Sequence, residues 1–225
     1  LKSSSDFRQR EEEAYPALYQ ESAARKTADK GITILQGRCV GGSTTVNWTS
    51  SFRTPPATLE YWQRHFGLDE MSPAAMQPWF EQAERRLHVA PWAVPPNENN
   101  EVLRRGAAKL GLEARVIPRN VNGCWNLGSC GMGCPTNAKQ SMLVTTLPAA
   151  LDAGAQLLVE TRAERLELAL GRVAALICRA VRADGSPLGP ETRIVATHYV
   201  VAAGASNSPA LLMRSKLPDP HERVG

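Results

Sequence analysis

The residues best suited to ligand chemistry lie between Gly31 and Arg53, in the run Gly37-Arg38-Cys39-Val40-Gly41-Gly42-Ser43-Thr44-Thr45-Val46-Asn47-Trp48. The β-branched, apolar residues Ile32, Thr33, Ile34 and Leu35 predict a short strand leading into it. Glycines at 37, 41 and 42 permit positive φ and let the backbone approach a flat or anionic ligand. Successive exposed N–H groups followed by hydroxyls can cradle a phosphate. A solvated surface turn would need neither the apolar run before it nor the Asn47-Trp48 pair after it. The ligand reading therefore outweighs that of a plain Gly-rich turn.

A second cluster joins Cys124, Cys130 and Cys134 in a Gly-rich stretch, residues 122–141. The spacing Cys-x5-Cys-x3-Cys matches neither a zinc-ribbon pair nor a redox Cys-x-x-Cys. Three thiolates can hold an iron–sulfur cluster. Structural zinc usually takes four ligands, and no His lies between residues 89 and 197. No metal is expected; a Cys130–Cys134 or Cys124–Cys134 disulfide, or thiols, is the favoured state. Cys39 and Cys178 read as small buried hydrophobes. His65, His88, His198 and His221 lack a partner at catalytic or ligating spacing and read as structural or solvated. No nucleophile elbow is present.

The elements that must position these residues follow from punctuation and periodicity. Residues 1–30 read as a charged N-terminal arm, with two short helical pieces or a mobile segment over residues 6–30 and a break at Pro16. Residues 55–115 read as a helical insertion. It holds a short helix ending at Gly67, then a helix from Ser72-Pro73 to about His88. Met76, Phe80, Ala83 and Leu87 form that second helix's core face. A third helix runs from Glu101 to Leu110, closed by Gly111. Pro148 opens another, which stops at Gly154. Strands are expected at Gln156–Glu160, Glu164–Ala169, Val173–Ala183 and Arg193–Ala202, with turns at Gly171-Arg172 and Asp184-Gly185. A last helix spans Pro209 to Arg214.

With 225 residues, 43% hydrophobic, the chain suits one large domain or two small ones. Its 26 basic and 22 acidic residues are well mixed, which argues against nucleic acid as a partner. No apolar run approaches the ~20 residues of a membrane span. The chain starts at Leu1 with no secretory pattern, and reads as an internal piece of a longer protein whose compartment stays open.

Gly37-Arg38-x-x-Gly41-Gly42-Ser43-Thr44-x-x-Asn47, with Arg53 beyond, resembles the flavin-binding segment of the glucose-methanol-choline (GMC) oxidoreductases. Gly204-Ala205-x-x-Ser208-Pro209-x-Leu211-Leu212-x-x-Ser215 resembles that family's second signature, departing from it at Lys216, where Gly is usual. The resemblance implies an α/β or α+β fold, with residues 31–225 forming the middle part of an FAD-binding domain, a mixed sheet covered by helices. It implies FAD as cofactor, lined by Gly37, Arg38, Gly41, Gly42, Ser43, Thr44, Asn47 and Trp48. Ala203 and Gly204 would face it from the second signature, and Ala163, near Arg162, would lie at the adenine. The activity implied is oxidation of an alcohol by hydride transfer to flavin, with a small-molecule alcohol as substrate and the rest of the enzyme as partner. The family's GxGxxG unit is absent here, and its catalytic His is expected beyond Gly225. The isolated chain is accordingly expected to bind FAD weakly or not at all. The alternatives are an inactive fold fragment without cofactor, or a flavin dehydrogenase carrying an iron–sulfur cluster.

Overall fold

Prolines and short polar residues set most of the helix starts. The computed structural model describes residues 4–225, which divide into two units meeting at Gln156 and Leu157 in sequence. In the first unit, α1 (Glu11–Leu18) is followed by a 3-10 turn at Gln20–Ala23, the two short helical pieces expected. Pro16 does not break α1. It is the sixth of the eight residues of α1, where the missing N–H leaves the Glu12 carbonyl without its intrahelical donor while the helix runs on to Leu18. The glutamates of α1 stay exposed, while Phe7, Ala14, Leu18 and Tyr19 join Val46 in the buried core of this unit.

Residues 32–35 do not form a regular strand. They make isolated antiparallel bridges, Lys26 with Thr33 and, beyond them, Tyr19 with Gly37. Asp29 folds the chain back, its carboxylate accepting from the Gly31 N–H at 3.0 Å and the Thr27 hydroxyl at 2.5 Å. The outcome is a lone ribbon, and Ile32 and Leu35 stay more than half exposed.

The helices of residues 55–115 follow their caps. Helix α2 (Pro56–Phe66) ends at Gly67 with φ +64°. Helix α3 (Pro73–Arg86) is capped by the Ser72 hydroxyl, which accepts from the Ala75 N–H at 3.3 Å. Its expected core residues Met76 and Phe80 are only half-buried, and Ala83 is exposed. Arg53 covers part of that face, pairing with Glu84 and lying 5.7 Å over the Phe80 ring. Helix α4 (Glu98–Lys109) starts three residues before Glu101 because the Asn97 side chain supplies its cap, accepting from Asn100 N–H at 3.0 Å. Strand β1 (Val89–Pro91) pairs antiparallel with β2 (Pro118–Asn120), and α5 (Thr146–Asp152) takes Pro148 in its first turn.

The second unit is an antiparallel meander, β3 (Thr161–Ala169), β4 (Arg172–Val181) and β5 (Pro187–Ile194), packed by α6 (Gly204–Arg214). The expected strand Glu164–Ala169 is found, lengthened to Thr161 as β3, while the expected strand Gln156–Glu160 lies outside the sheet. The hairpins turn at Leu170-Gly171, both with positive φ, and at Asp184-Gly185. Leu166, Ala175, Ile177, Cys178 and Leu211 are buried. Helix α6 begins at Gly204 rather than Pro209, which lies inside it. Ser215 Oγ accepts from the Leu166 N–H at 2.8 Å, tying the helix end to β3.

The expected strand Arg193–Ala202 ends at Ile194. A β-branched run makes a strand only where a neighbour offers a pleated surface to pack on. No described strand pairs with residues 195–203, and Val195 and Val200 are 66% and 89% exposed. Among the described residues both sheets are small and antiparallel, where a mixed sheet was expected, and they occur together with helices.

Candidate functional site

The Gly-rich segment is a tight 3-10 turn, Gly42–Thr45, entered through Gly41 at φ +87° and Gly42 at φ +58°. The three glycines serve different ends. A Cβ on Gly37 would fall 2.8 Å from the backbone of Gly42 and Ser43, so this glycine lets the incoming chain lie against the turn. A Cβ on Gly41 would strike Thr45 and the Leu143 backbone. A Cβ on Gly42 would meet nothing within 4 Å. The turn thus presents open backbone at Gly42.

The hydroxyls, expected to face a phosphate, are engaged within the protein. Ser43 Oγ accepts from the Gly37 N–H at 2.9 Å. Thr44 Oγ1 donates to the Gly41 carbonyl at 2.5 Å and accepts from the Met142 N–H at 3.0 Å. Thr45 Oγ1 donates to the Val40 carbonyl at 2.9 Å. Arg38 lies beside the turn, its backbone N–H donating to Leu18 at 2.6 Å. The Asn47 side chain accepts from Thr49 N–H at 3.1 Å.

Behind the turn lies a residue that pattern reading missed. Lys139 is 3% exposed, and its ammonium donates to the carbonyls of Thr45 (2.9 Å), Asn47 (2.6 Å) and Cys130 (2.6 Å). It fastens the Gly-rich segment to the Cys-rich loop. Burial pushes its pKa down from 10.5 to about 8, against the pull of the nearby Cys130, Cys134 and Cys39 thiols. The neighbouring Gln140 and Ser141 are buried too. The only signal in the sequence was their position at the end of the Cys-rich run, since Lys is by default an exposed residue. Tyr19, whose hydroxyl donates to the Gly131 carbonyl at 2.6 Å, is a second anchor, and burial drives its pKa up to about 12.

The Cys-rich loop and Trp48 enclose a cleft of about 130 Å³. Gly131 has no room for a side chain, because a Cβ there would lie 2.6 Å from the Trp48 ring. Arg119 crosses the cleft. It donates to Thr49 Oγ1 at 2.8 Å and the Trp48 carbonyl at 2.7 Å, and its guanidinium lies 4.4 Å over the Trp92 ring. The Trp92 indole N–H is buried with no partner among the described residues. Cys124, Cys130 and Cys134 all line the cleft as thiols. Cys134 titrates below the ordinary thiol value. Burial opposes that shift, but hydrogen bonds from Thr136 and the Lys139 N–H outweigh it.

Three of the candidate cofactor residues fall in the second unit. Ala163 lies on β3 at a bulge, where its carbonyl accepts from Arg214 at 3.3 Å. The Ala203 N–H donates to Ser208 Oγ at 3.0 Å, and Gly204 opens α6 at φ +83°. The eight other candidates, Gly37 to Trp48, are brought together in the first unit.

Comparison with known proteins places this geometry in a lineage. An uncharacterised GMC-type oxidoreductase of Mycobacterium tuberculosis is 37% identical over 94% of this chain and 33% of its own length. A long-chain-alcohol oxidase of Arabidopsis thaliana is 32% identical over 89% of this chain and 27% of its own length. The 6'''-hydroxyparomomycin C oxidase of Streptomyces lividus is 30% identical over 83% of this chain and 39% of its own length. The chain thus spans about a third of the length of the curated relatives it matches. Residues 15–225 match the GMC oxidoreductase family itself, and with both signatures inside that span, the chain belongs to the GMC oxidoreductases.

Proposed function

We propose that this chain is the flavin-proximal part of an FAD-dependent enzyme that oxidises an alcohol to a carbonyl compound. The observation that carries the reading is the open backbone at Gly42, with no atom within 4 Å of where a side chain would point. A flat cofactor with a phosphate tail needs such a surface. The internal bonds of Ser43, Thr44 and Thr45 fix that surface before any ligand arrives. Recognition then falls on backbone and shape at Gly41 and Gly42. Gly37 allows the close packing behind them, and Arg38, Asn47 and Trp48 flank them. Ala163, Ala203 and Gly204 are the cofactor candidates within the second unit. FAD, when bound, supplies the hydride acceptor, while the protein supplies placement and electrostatics. The relatives named as oxidases of a long-chain alcohol and of a hydroxyparomomycin support an alcohol as the donor.

The test uses the full-length protein. It should purify yellow with flavin absorbance bands. Under anaerobic conditions those bands should bleach with at least one member of a panel holding long-chain primary alcohols, choline and sugars. A colourless protein that takes up no added FAD, or bands that no alcohol bleaches, would refute the reading.

A further inference from the structure

We propose that Cys134 and Cys130 form an oxidisable dithiol site, reached through the cleft of the Cys-rich loop, whose substrate is hydrogen peroxide or a small organic hydroperoxide. The two thiols lie four residues apart, Cys130 opening the 3-10 turn Cys130–Met132 and Cys134 two residues beyond its end. Gly133, at φ +88°, turns the chain so that both line one cleft. Both are half-buried, hence reachable by a small solute.

The surroundings of Cys134 favour the thiolate, which is the reactive form of cysteine. Cys134 Sγ accepts from the Lys139 N–H at 3.4 Å and lies 3.5 Å from Thr136 Oγ1. Cys130 Sγ accepts from the Arg119 guanidinium at 3.8 Å, and the Cys130 carbonyl holds the buried Lys139 ammonium at 2.6 Å. Two cations therefore stand beside this pair. Cys178 offers the internal contrast: it is 4% exposed on β4, and burial together with Glu164 raises its pKa. Cys124, the third thiol of the cleft, accepts from its own loop's Asn126 N–H at 3.4 Å. The stronger donor set at Cys134 makes it the attacking sulfur, and Cys130, beside the same ammonium, the resolving one.

The chemistry balances in two displacements. The Cys134 thiolate attacks one peroxide oxygen, so that an S–O bond forms and the O–O bond breaks. The departing hydroxide takes a proton and leaves as water, and Cys134 becomes a sulfenic acid. The Cys130 thiolate then attacks that sulfur, an S–S bond forms, the S–O bond breaks, and a second water leaves. The dithiol loses two electrons and two protons, and the peroxide is reduced to two waters.

The site stands apart from the flavin reading, because its test reads sulfur and not turnover. Full-length protein is exposed to dilute hydrogen peroxide, quenched with an alkylating agent, digested with trypsin and weighed. Cleavage after Arg119 and Lys139 leaves all three cleft cysteines in one peptide, residues 120–139. That peptide should lose two hydrogens before the peptide carrying Cys178 changes. The loss should persist in Cys124→Ser. In Cys130→Ser it should vanish, with a dimedone adduct appearing on Cys134. Oxidation of Cys178 ahead of the cleft peptide in the unmodified protein would overturn the proposal, and that comparison needs no variant to fold. A loss that requires Cys124, or a dimedone adduct absent from Cys134, would overturn it as well.

Discussion

Replacing Lys139 by Met keeps much of the side-chain volume and removes its charge and its three donors. The carbonyls of Thr45, Asn47 and Cys130 each lose a bond. A net worth of about 1 kcal/mol per bond makes Lys139→Met less stable by about 3 kcal/mol at neutral pH. The sharper expectation concerns pH. In the folded chain the ammonium titrates at about 8, against 10.5 ordinarily. Between those values the unfolded state holds the extra proton, so stability from this group rises with pH across the window. The cost of the buried charge is fully present below about pH 8 and is relieved as pH climbs toward 10.5. A shift of about 2.5 units corresponds to about 3 kcal/mol. The stability gap between the natural protein and Lys139→Met should therefore widen by about 3 kcal/mol from near-neutral to alkaline pH. Urea denaturation of both full-length proteins, followed by tryptophan emission, measures it. A gap that stays flat or narrows would show that the ammonium is not held away from water, and the anchoring role would fall.

Two further expectations separate roles within the candidate site and the sheet. Gly37→Ala places a methyl 2.8 Å from the Gly42 and Ser43 backbone and should cost about 2 kcal/mol. Gly42→Ala meets no atom and should cost only about 1 kcal/mol for its positive φ, yet deplete bound flavin. Thermal melts beside flavin absorbance per protein check both, and a Gly42→Ala protein holding full flavin would remove that face from the cofactor. On the exposed side of the meander, hydrogen bonds from Arg165 and Arg179 draw the Glu191 carboxyl down to about 2. Any stability from that network is present above the ordinary 4.5 and lost as pH falls toward 2. A carbon-13 titration placing Glu191 at an ordinary carboxylate value would contradict it.

Signals carried by a few adjacent residues were legible in the sequence. Ser72 before Pro73, Gly67 after Phe66 and the turns at Gly171 and Gly185 act where they stand, through caps and positive φ. The Gly-rich run was legible for the same reason, as three glycines at fixed spacing. Strands were legible only in part: Glu164–Ala169 and Val173–Ala183 fall on β3 and β4, but others failed because a strand depends on a neighbour the local sequence does not name. Ile32 to Leu35 became a ribbon closed by Asp29, and Val195 to Val201 has no described strand beside it. Lys139 was invisible for a further reason: its burial depends on three carbonyls contributed from as far as 94 residues away.

Those same carbonyls explain how a short irregular turn could serve as the proposed binding surface. A Gly-Gly pair is flexible when isolated, and flexibility would have to be lost on binding. Here the hydroxyls of residues 43, 44 and 45 close the turn from within, and the Met142 N–H and the Lys139 ammonium grip it from the loop behind. Much of the ordering cost is thereby met during folding. The hydroxyls of Ser43, Thr44 and Thr45 thus make the backbone of the turn rigid. The Cys-rich loop, which matched no metal pattern, is the wall that holds this turn, since Gly131 seats Trp48 and Cys130 shares its ammonium with Asn47.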